Sequence, residues 1–263
     1  MTPGAFDTHA HIQFEQFDAD RDEVLERCWD AGMAGMLVVG TDIPSSLAAI
    51  ELAERDERLW ATAGVHPHDA SDYSEEAEDN LRAMAESGKI VALGEVGLDF
   101  YRNLSTRDAQ ENAFRRQLAL AAEYDLPVVI HTREAIDEAT EILTRWVETL
   151  PAFRSRPPGV MHCFSGDLAQ AERLVALGFL ISIPATITYP KNDEQRRVAA
   201  ALPLHSLVVE TDSPHLPPQH LRGKRNEPRE VLAAIAEVAR VRGQAQDEIV
   251  TATTRNARRL LGL

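Results

Sequence analysis

Cysteine is nearly absent: Cys28 and Cys163 are the two in 263 residues, far apart and in no Cys-x-x-Cys pair. Neither a disulfide framework nor a thiolate zinc site is encoded, and a reducing compartment is the expected setting. Basic residues are also scarce, 27 Lys and Arg against 42 Asp and Glu, for a net charge of −15. Such a chain repels polyanions as a whole, which counts against tight electrostatic binding of nucleic acid. Nucleic acid remains open as a substrate, because a local cluster of metal ions with Arg and Lys inverts the field at one site. No uninterrupted apolar run approaches the ~20 residues that span a bilayer, and no basic stretch followed by an apolar run opens the chain. A cytoplasmic protein with no membrane partner is expected. Internal repeats and low-complexity tracts are absent, and no obligate protein partner is evident.

What is present is an ordinary globular composition, 44% hydrophobic and 26% charged. The length suits one domain over residues 1–263, since barrels of about 250 residues fold as a unit. Short apolar runs alternate with amphipathic stretches. After the opening strand around 6–11, runs at 35–40, 59–65, 90–95, 127–131, 160–162, 179–183 and 207–210 read as strands buried on both faces. Between them, 20–31, 45–54, 74–87, 107–124, 136–146, 168–177 and 194–201 show helical spacing, and helices near 228–241 and 247–261 finish the chain. Eight strands with intervening helices predict an α/β fold of the (β/α)8 TIM-barrel type. A doubly wound open sheet is the competitor, but it gathers its polar residues at one crevice, whereas here nearly every strand contributes one. Residues 148–158, with three prolines, read as a surface loop.

The residues closing the strands carry the chemistry. His9 and His11 close the first strand, and residues two apart in a strand share a face. His66 and His68 follow the third, Glu95 closes the fourth, His131 the fifth, His162 the sixth, and Asp212 follows the eighth. Six of the nine histidines thus fall at the end where barrels place their active sites. Four histidines with two carboxylates form a nitrogen and oxygen ligand set suited to Zn²⁺, Mn²⁺, Fe²⁺ or Mg²⁺. Six ligands exceed what one catalytic ion takes, so two divalent ions sharing a carboxylate, about 3.5–4 Å apart, are expected.

Asp-Thr-His-Ala-His at 7–11, Gly-Val-His-Pro-His at 64–68, Gly-Glu-Val-Gly-Leu-Asp at 94–99, Ile-His-Thr-Arg at 130–133, His-Cys-Phe-Ser-Gly at 162–166, Glu-Thr-Asp-Ser-Pro at 210–214 and Arg-Gly-Lys-Arg-Asn-Glu-Pro at 222–228 stand in one order. The series resembles that of TatD-type metal-dependent deoxyribonucleases, within the amidohydrolase-like superfamily, over nearly the whole chain. The resemblance implies phosphodiester hydrolysis and a 3′ to 5′ exonuclease acting on DNA. It also implies that His9, His11, Glu95 and Asp212 hold one ion and Glu95, His131 and His162 the other, with Glu95 as bridge. Asp212 would accept the proton of the attacking water, and His66 would face the phosphate. Ile12-Gln13 departs from the Leu-Asp of many relatives, which touches a neighbouring contact and not the ligands.

Arg133, Arg222, Lys224 and Arg225 lie near the catalytic end of an acidic chain and are expected to bind an anionic substrate. Asn226-Glu227 is an alternative pin for that loop, onto Glu210 or Asp212. Asp99 is a candidate to orient a ligating histidine, with a loop cap as the competing role. Cys163, next to a ligand in a strand, is expected to point away from the site and pack. His68, His215 and His220 have no assigned role. A barrel-top pocket without a broad basic groove favours single-stranded ends, with weak, salt-sensitive DNA binding. The competing functions are an amidohydrolase-like enzyme for a small phosphoester, amide or lactone, since one ligand shell serves all of these, and a metal-binding scaffold that is not an enzyme.

Overall fold

The protein is described by a computed structural model covering residues 4–151 and 155–263. Its eight strands are β1 (Ala5–Ala10), β2 (Met33–Val38), β3 (Leu59–Ala63), β4 (Ile90–Asp99), β5 (Val128–Arg133), β6 (Gly159–Met161), β7 (Leu180–Pro184) and β8 (Leu207–Glu210). All are parallel and pair in chain order. Just past the last strand, Ala10 bridges Ser213, and the His11 N–H donates to the Ser213 carbonyl at 2.7 Å. The sheet therefore closes on itself, which an open doubly wound sheet does not do.

Parallel pairing requires a return crossover after each strand, and the sequence supplies helices for it. These are α1 (Arg21–Asp30), α2 (Ile43–Arg55), α3 (Glu75–Glu86), α4 (Arg107–Glu123), α5 (Ile136–Val147), α6 (Leu168–Ala176) and α7 (Asp193–Ala201), with α8 (Val231–Arg242) and α9 (Gln246–Leu261) after β8. Local signals set their ends. Asp42 and Asp167 form reciprocal capping boxes with Ser45 and Gln170, and Gly243 and Gly262 end α8 and α9 in the left-handed conformation.

Two apolar cores result. Phe6, Leu37, Val39, Ala92, Val129, Val160, Leu180 and Val208 contact one another from strands all round the ring, so this cluster lies inside the barrel. Ala257, Leu260 and Leu261 of α9 join it and close the barrel floor. The larger cluster packs the helices on the outside of the strands. With the floor sealed, the strand ends opposite α9 remain for a site.

The structure departs from expectation most at β4, which runs on to Asp99 instead of stopping at Glu95. Gly94 and Gly97 look like strand terminators, yet their φ values of 153° and 145° carry an irregular strand past a register shift between Leu93 and Val96. Gly97 also admits the neighbouring backbone, since a Cβ there would lie 2.0 Å from the His131 carbonyl oxygen. The expected loop at 148–158 falls partly outside the described residues, at 152–154. Among the described residues, no helix is long and apolar enough to cross a membrane.

Candidate active site

At the open end lies a cavity of about 710 Å³, lined by residues from the loops after most of the strands. Among the polar groups lining it is Glu95, buried on β4. Glu95 Oε2 lies 3.2 Å from His9 Nε2 and 3.8 Å from His11 Nε2. On its other oxygen, Oε1 lies 2.7 Å from His131 Nδ1 and 3.7 Å from His162 Nε2. Asp212 Oδ1 closes the group, 3.4 Å from His11 Nε2 and 3.8 Å from the Nε2 atoms of His9 and His162. These atoms fall into overlapping groups, His9 with His11 and Asp212, His9 with Glu95 and His162, and Glu95 with His131 and His66.

The surroundings turn these atoms toward one another. His11 Nδ1 lies 2.8 Å from the Val39 carbonyl, which only accepts, so the proton sits on Nδ1 and Nε2 presents a lone pair. Asp212 has a left-handed backbone, φ 58°, held by its N–H donating to the His9 carbonyl at 2.9 Å and its own carbonyl accepting from His215 N–H at 2.8 Å. That conformation is costly for a non-glycine residue and is maintained here by the barrel closure. Asp7, buried beneath, accepts from the backbone N–H groups of His9 and Thr211 and from the Thr211 hydroxyl. It ties the first and last strands together under the site.

The electrostatics show what the group can hold. Burial would raise the Asp212 pKa, but the hydrogen bond to His11 and the charges of His162 and His9 bring it down to about 2. Glu95 is likewise held well below the usual range by the surrounding histidines, against the cost of burial. Burial would lower His162, but Glu210, Glu95 and Asp212 lift it to about 10. Glu95 and Asp212 therefore stay ionised although buried, and demand positive charge nearby. Converging imidazole nitrogens and ionised carboxylates are a donor set for divalent cations, and the cluster is able to hold metal ions.

His66 is different. It lines the cavity with Nε2 3.5 Å from Glu95 Oε1, while its Nδ1 accepts the His68 backbone N–H at 3.1 Å. Burial lowers its pKa to about 4, so the ring is neutral at pH 7 and its one proton must reside on Nε2. His66 therefore presents a donor to the cavity rather than a lone pair.

Asp99 sits behind His131, its Oδ2 3.4 Å from His131 Nε2 and 2.8 Å from His68 Nε2. It also accepts the Tyr101 and Arg102 backbone N–H groups, so it caps a turn and orients a histidine together. Glu210 plays the matching part at His162. It approaches Nδ1 to 2.9 Å, off the ring N–H axis, so the contact is ionic rather than an aligned hydrogen bond. Glu210 also accepts the Cys163 N–H and the Ser182 hydroxyl. Sequence reasoning passed over Glu210 in this role, although a carboxylate ending an apolar strand must find partners when buried.

Several expectations need correcting. Arg133 lines the cavity; Arg222 is outside its wall but lies over the ring of Tyr189, which is part of it, and Lys224 and Arg225 do not line it. Arg225 is turned away, donating to both oxygens of Asp20 at 2.7 and 2.6 Å and lying over the Phe17 ring. Its loop is pinned by Asn226, which donates to the Thr211 and His215 carbonyls rather than to Glu210 or Asp212. Cys163 faces the cavity, because β6 ends at Met161 and a left-handed backbone, φ 43°, breaks the strand alternation. His215 lines the cavity, and His220 pairs with Glu230 outside it.

Comparison with known proteins yields full-length matches. The TatD related DNase family matches residues 6–262. The chain is 41% identical to the 3'-5' ssDNA/RNA exonuclease TatD of Erwinia amylovora, over 98% of this chain and 100% of that one. It is 37% identical to the uncharacterized metal-dependent hydrolase YabD of Bacillus subtilis, over 97% and 98% of the two chains. The crystal structure of YJJV, a TatD homolog from Escherichia coli, superposes with a TM-score of 0.92 at 35% identity, covering both chains completely.

Proposed function

Because the chain belongs to the TatD related DNase family and is a metal-dependent hydrolase of nuclease type, we propose that it removes mononucleotides from the 3′ end of single-stranded DNA. The supporting observation is the meeting of His9, His11, Glu95, His131, His162 and Asp212 at the bottom of a cavity whose floor the barrel seals. A blind cavity admits a strand end and not the middle of a duplex.

In this reading His9, His11, Glu95 and Asp212 would hold one divalent ion and Glu95, His131 and His162 a second. Mg²⁺, Mn²⁺ and Zn²⁺ all suit these donors. Such ions lower the pKa of water toward neutrality and offset charge on a phosphoryl group. Asp212, ionised throughout the neutral range, takes the proton of the attacking water at Oδ2, since Oδ1 faces the histidines. His66 donates a hydrogen bond from its Nε2–H to a phosphate oxygen and keeps its proton, and Arg133 at the rim offsets the charge of the incoming strand. Binding is weak and salt-sensitive, because a net charge of −15 opposes the substrate everywhere except at the site.

The test uses metal-stripped protein and a single-stranded oligonucleotide labelled at the 3′ end in one arm and the 5′ end in the other, with and without Mg²⁺, Mn²⁺ or Zn²⁺. Immediate metal-dependent release of the 3′ label as mononucleotide, a shortening ladder from the 5′ label, and loss of both in Asp212→Asn are expected. Absence of release with every metal would overturn the reading.

A further inference from the structure

Two tyrosines each carry an arginine over the ring, and one member of each pair, Arg133 and Tyr189, lines the cavity. The Arg133 guanidinium lies 3.8 Å from the Tyr101 ring centre, and Tyr101 is still 56% exposed. At the β7–β8 side, the Arg222 guanidinium lies 5.0 Å from the centre of Tyr189, which lines the cavity. The Tyr189 hydroxyl donates to the Pro217 carbonyl at 2.7 Å, fixing the ring against the loop after β8.

Exposed aromatic surface is scarce in this molecule. Of the exposed large apolar side chains among the described residues, Tyr101 is the aromatic one; the others are leucines. In this acidic protein Arg21, Arg27, Arg58, Arg82 and Arg116 are all tied to carboxylates. Among the described residues no carboxylate is paired with Arg133 or Arg222. Free guanidinium planes on aromatic rings, next to a site for a phosphodiester, match the chemistry of an unpaired base. Every base has a π-face, and stacking on aromatic or guanidinium surfaces holds a single strand without reading its sequence.

We infer that the Tyr101–Arg133 and Tyr189–Arg222 stacks are the surfaces on which the bases near a 3′ end lie, one on each side of the cavity. The inference rests on the nuclease reading above and adds what holds the strand. Arg133 covers one face of Tyr101, leaving the exposed remainder of the ring for a base. The phosphate between two bases held this way is drawn down toward His66 and Asp212. Duplex ends, whose bases are already stacked and paired, gain nothing from these surfaces, so selectivity for single strands follows.

The test compares wild type, Tyr101→Ala, Tyr101→Phe and Tyr189→Ala on single-stranded oligonucleotides with normal or abasic residues at the two 3′-terminal positions. Tyr101→Ala is expected to raise KM on the normal strand about fivefold, the low end of base stacking, with Tyr101→Phe restoring it. Abasic substitution is expected to cost the wild type a similar factor and to cost Tyr101→Ala little more. A KM within about twofold of wild type in Tyr101→Ala, or an abasic penalty undiminished in that variant, would overturn the inference. Fluorescence anisotropy of a labelled single strand reads the same contact without turnover, so the inference is decided even if nucleotide release fails. Weaker binding by Tyr101→Ala than by wild type sustains it, and equal binding rejects it. Tyr101 is exposed, so its variants fold; thermal melting checks Tyr189→Ala, whose hydroxyl anchors a loop.

Discussion

His131 and Glu95 meet at 2.7 Å, Nδ1 to Oε1, while Asp99 stands 3.4 Å from the other ring nitrogen. The imidazole is gripped between two carboxylates, so its site-facing nitrogen is fixed by a residue outside the cluster. Asp99→Asn is expected to weaken metal binding by about 10- to 100-fold while the protein still folds, as for other partners of ligating histidines. Isothermal titration of stripped protein measures this, and unchanged affinity would reduce Asp99 to a turn cap.

On the proposed two-ion reading Glu95 is shared between the ions, so its loss should disable the whole site. Chelation of wild-type protein should lower Tm, because an ion that binds only the folded state stabilises it. Glu95→Gln should show a Tm indifferent to chelator and activity below about 1% of wild type, a barrier increase of about 3 kcal/mol. A variant that still gains several degrees on adding metal would show that Glu95 is no shared ligand.

Arg225, read from sequence as a substrate contact, is a clamp in the structure. Its bond to Asp20 is the main cause of the lowered Asp20 pKa, and Glu227, raised by burial, is lowered overall by Arg27 and its neighbours. Carboxylates with depressed pKa values stabilise the fold above their unfolded values, near 4, and that contribution fades as pH falls through the folded ones. Arg225→Ala should therefore cost about 1 kcal/mol at pH 7, the upper range for exposed pairs, and progressively less below about pH 4. Urea melts at several pH values check the trend, and DNA affinity should change less than in Arg133→Ala.

Gly97 takes a backbone conformation closed to other residues and stands against the His131 carbonyl. Gly97→Ala should push β5 away from β4, costing about 1–3 kcal/mol of stability, and should move His131 from Glu95. Activity is expected to fall by more than stability, read as kcat against Tm. Equal activity at reduced Tm would show that β5 shifts without carrying His131.

The residues of the cluster could be found in the sequence because a parallel barrel places the C-terminal ends of its strands on one face. Polar residues closing apolar runs, such as His131 and His162, are therefore brought together by topology alone. The length of β4 was not readable, because glycine marks both strand ends and close backbone approaches, and only the neighbouring His131 carbonyl distinguishes them. Cys163 was misplaced for a similar reason: strand alternation holds only while the strand lasts.

The sequence by itself determined the alternation of elements, the barrel and the residues gathered at its open end, since each follows from local periodicity and a fixed rule of connection. Tertiary structure alone decided which basic residues are free. Arg133 and Arg225 look alike in the chain, but Arg225 lies within reach of Asp20, brought there by the closing of the last strand onto the first, whereas Arg133 meets a tyrosine ring. Charge on a side chain is local, but the partner that neutralises it comes from wherever the fold puts one.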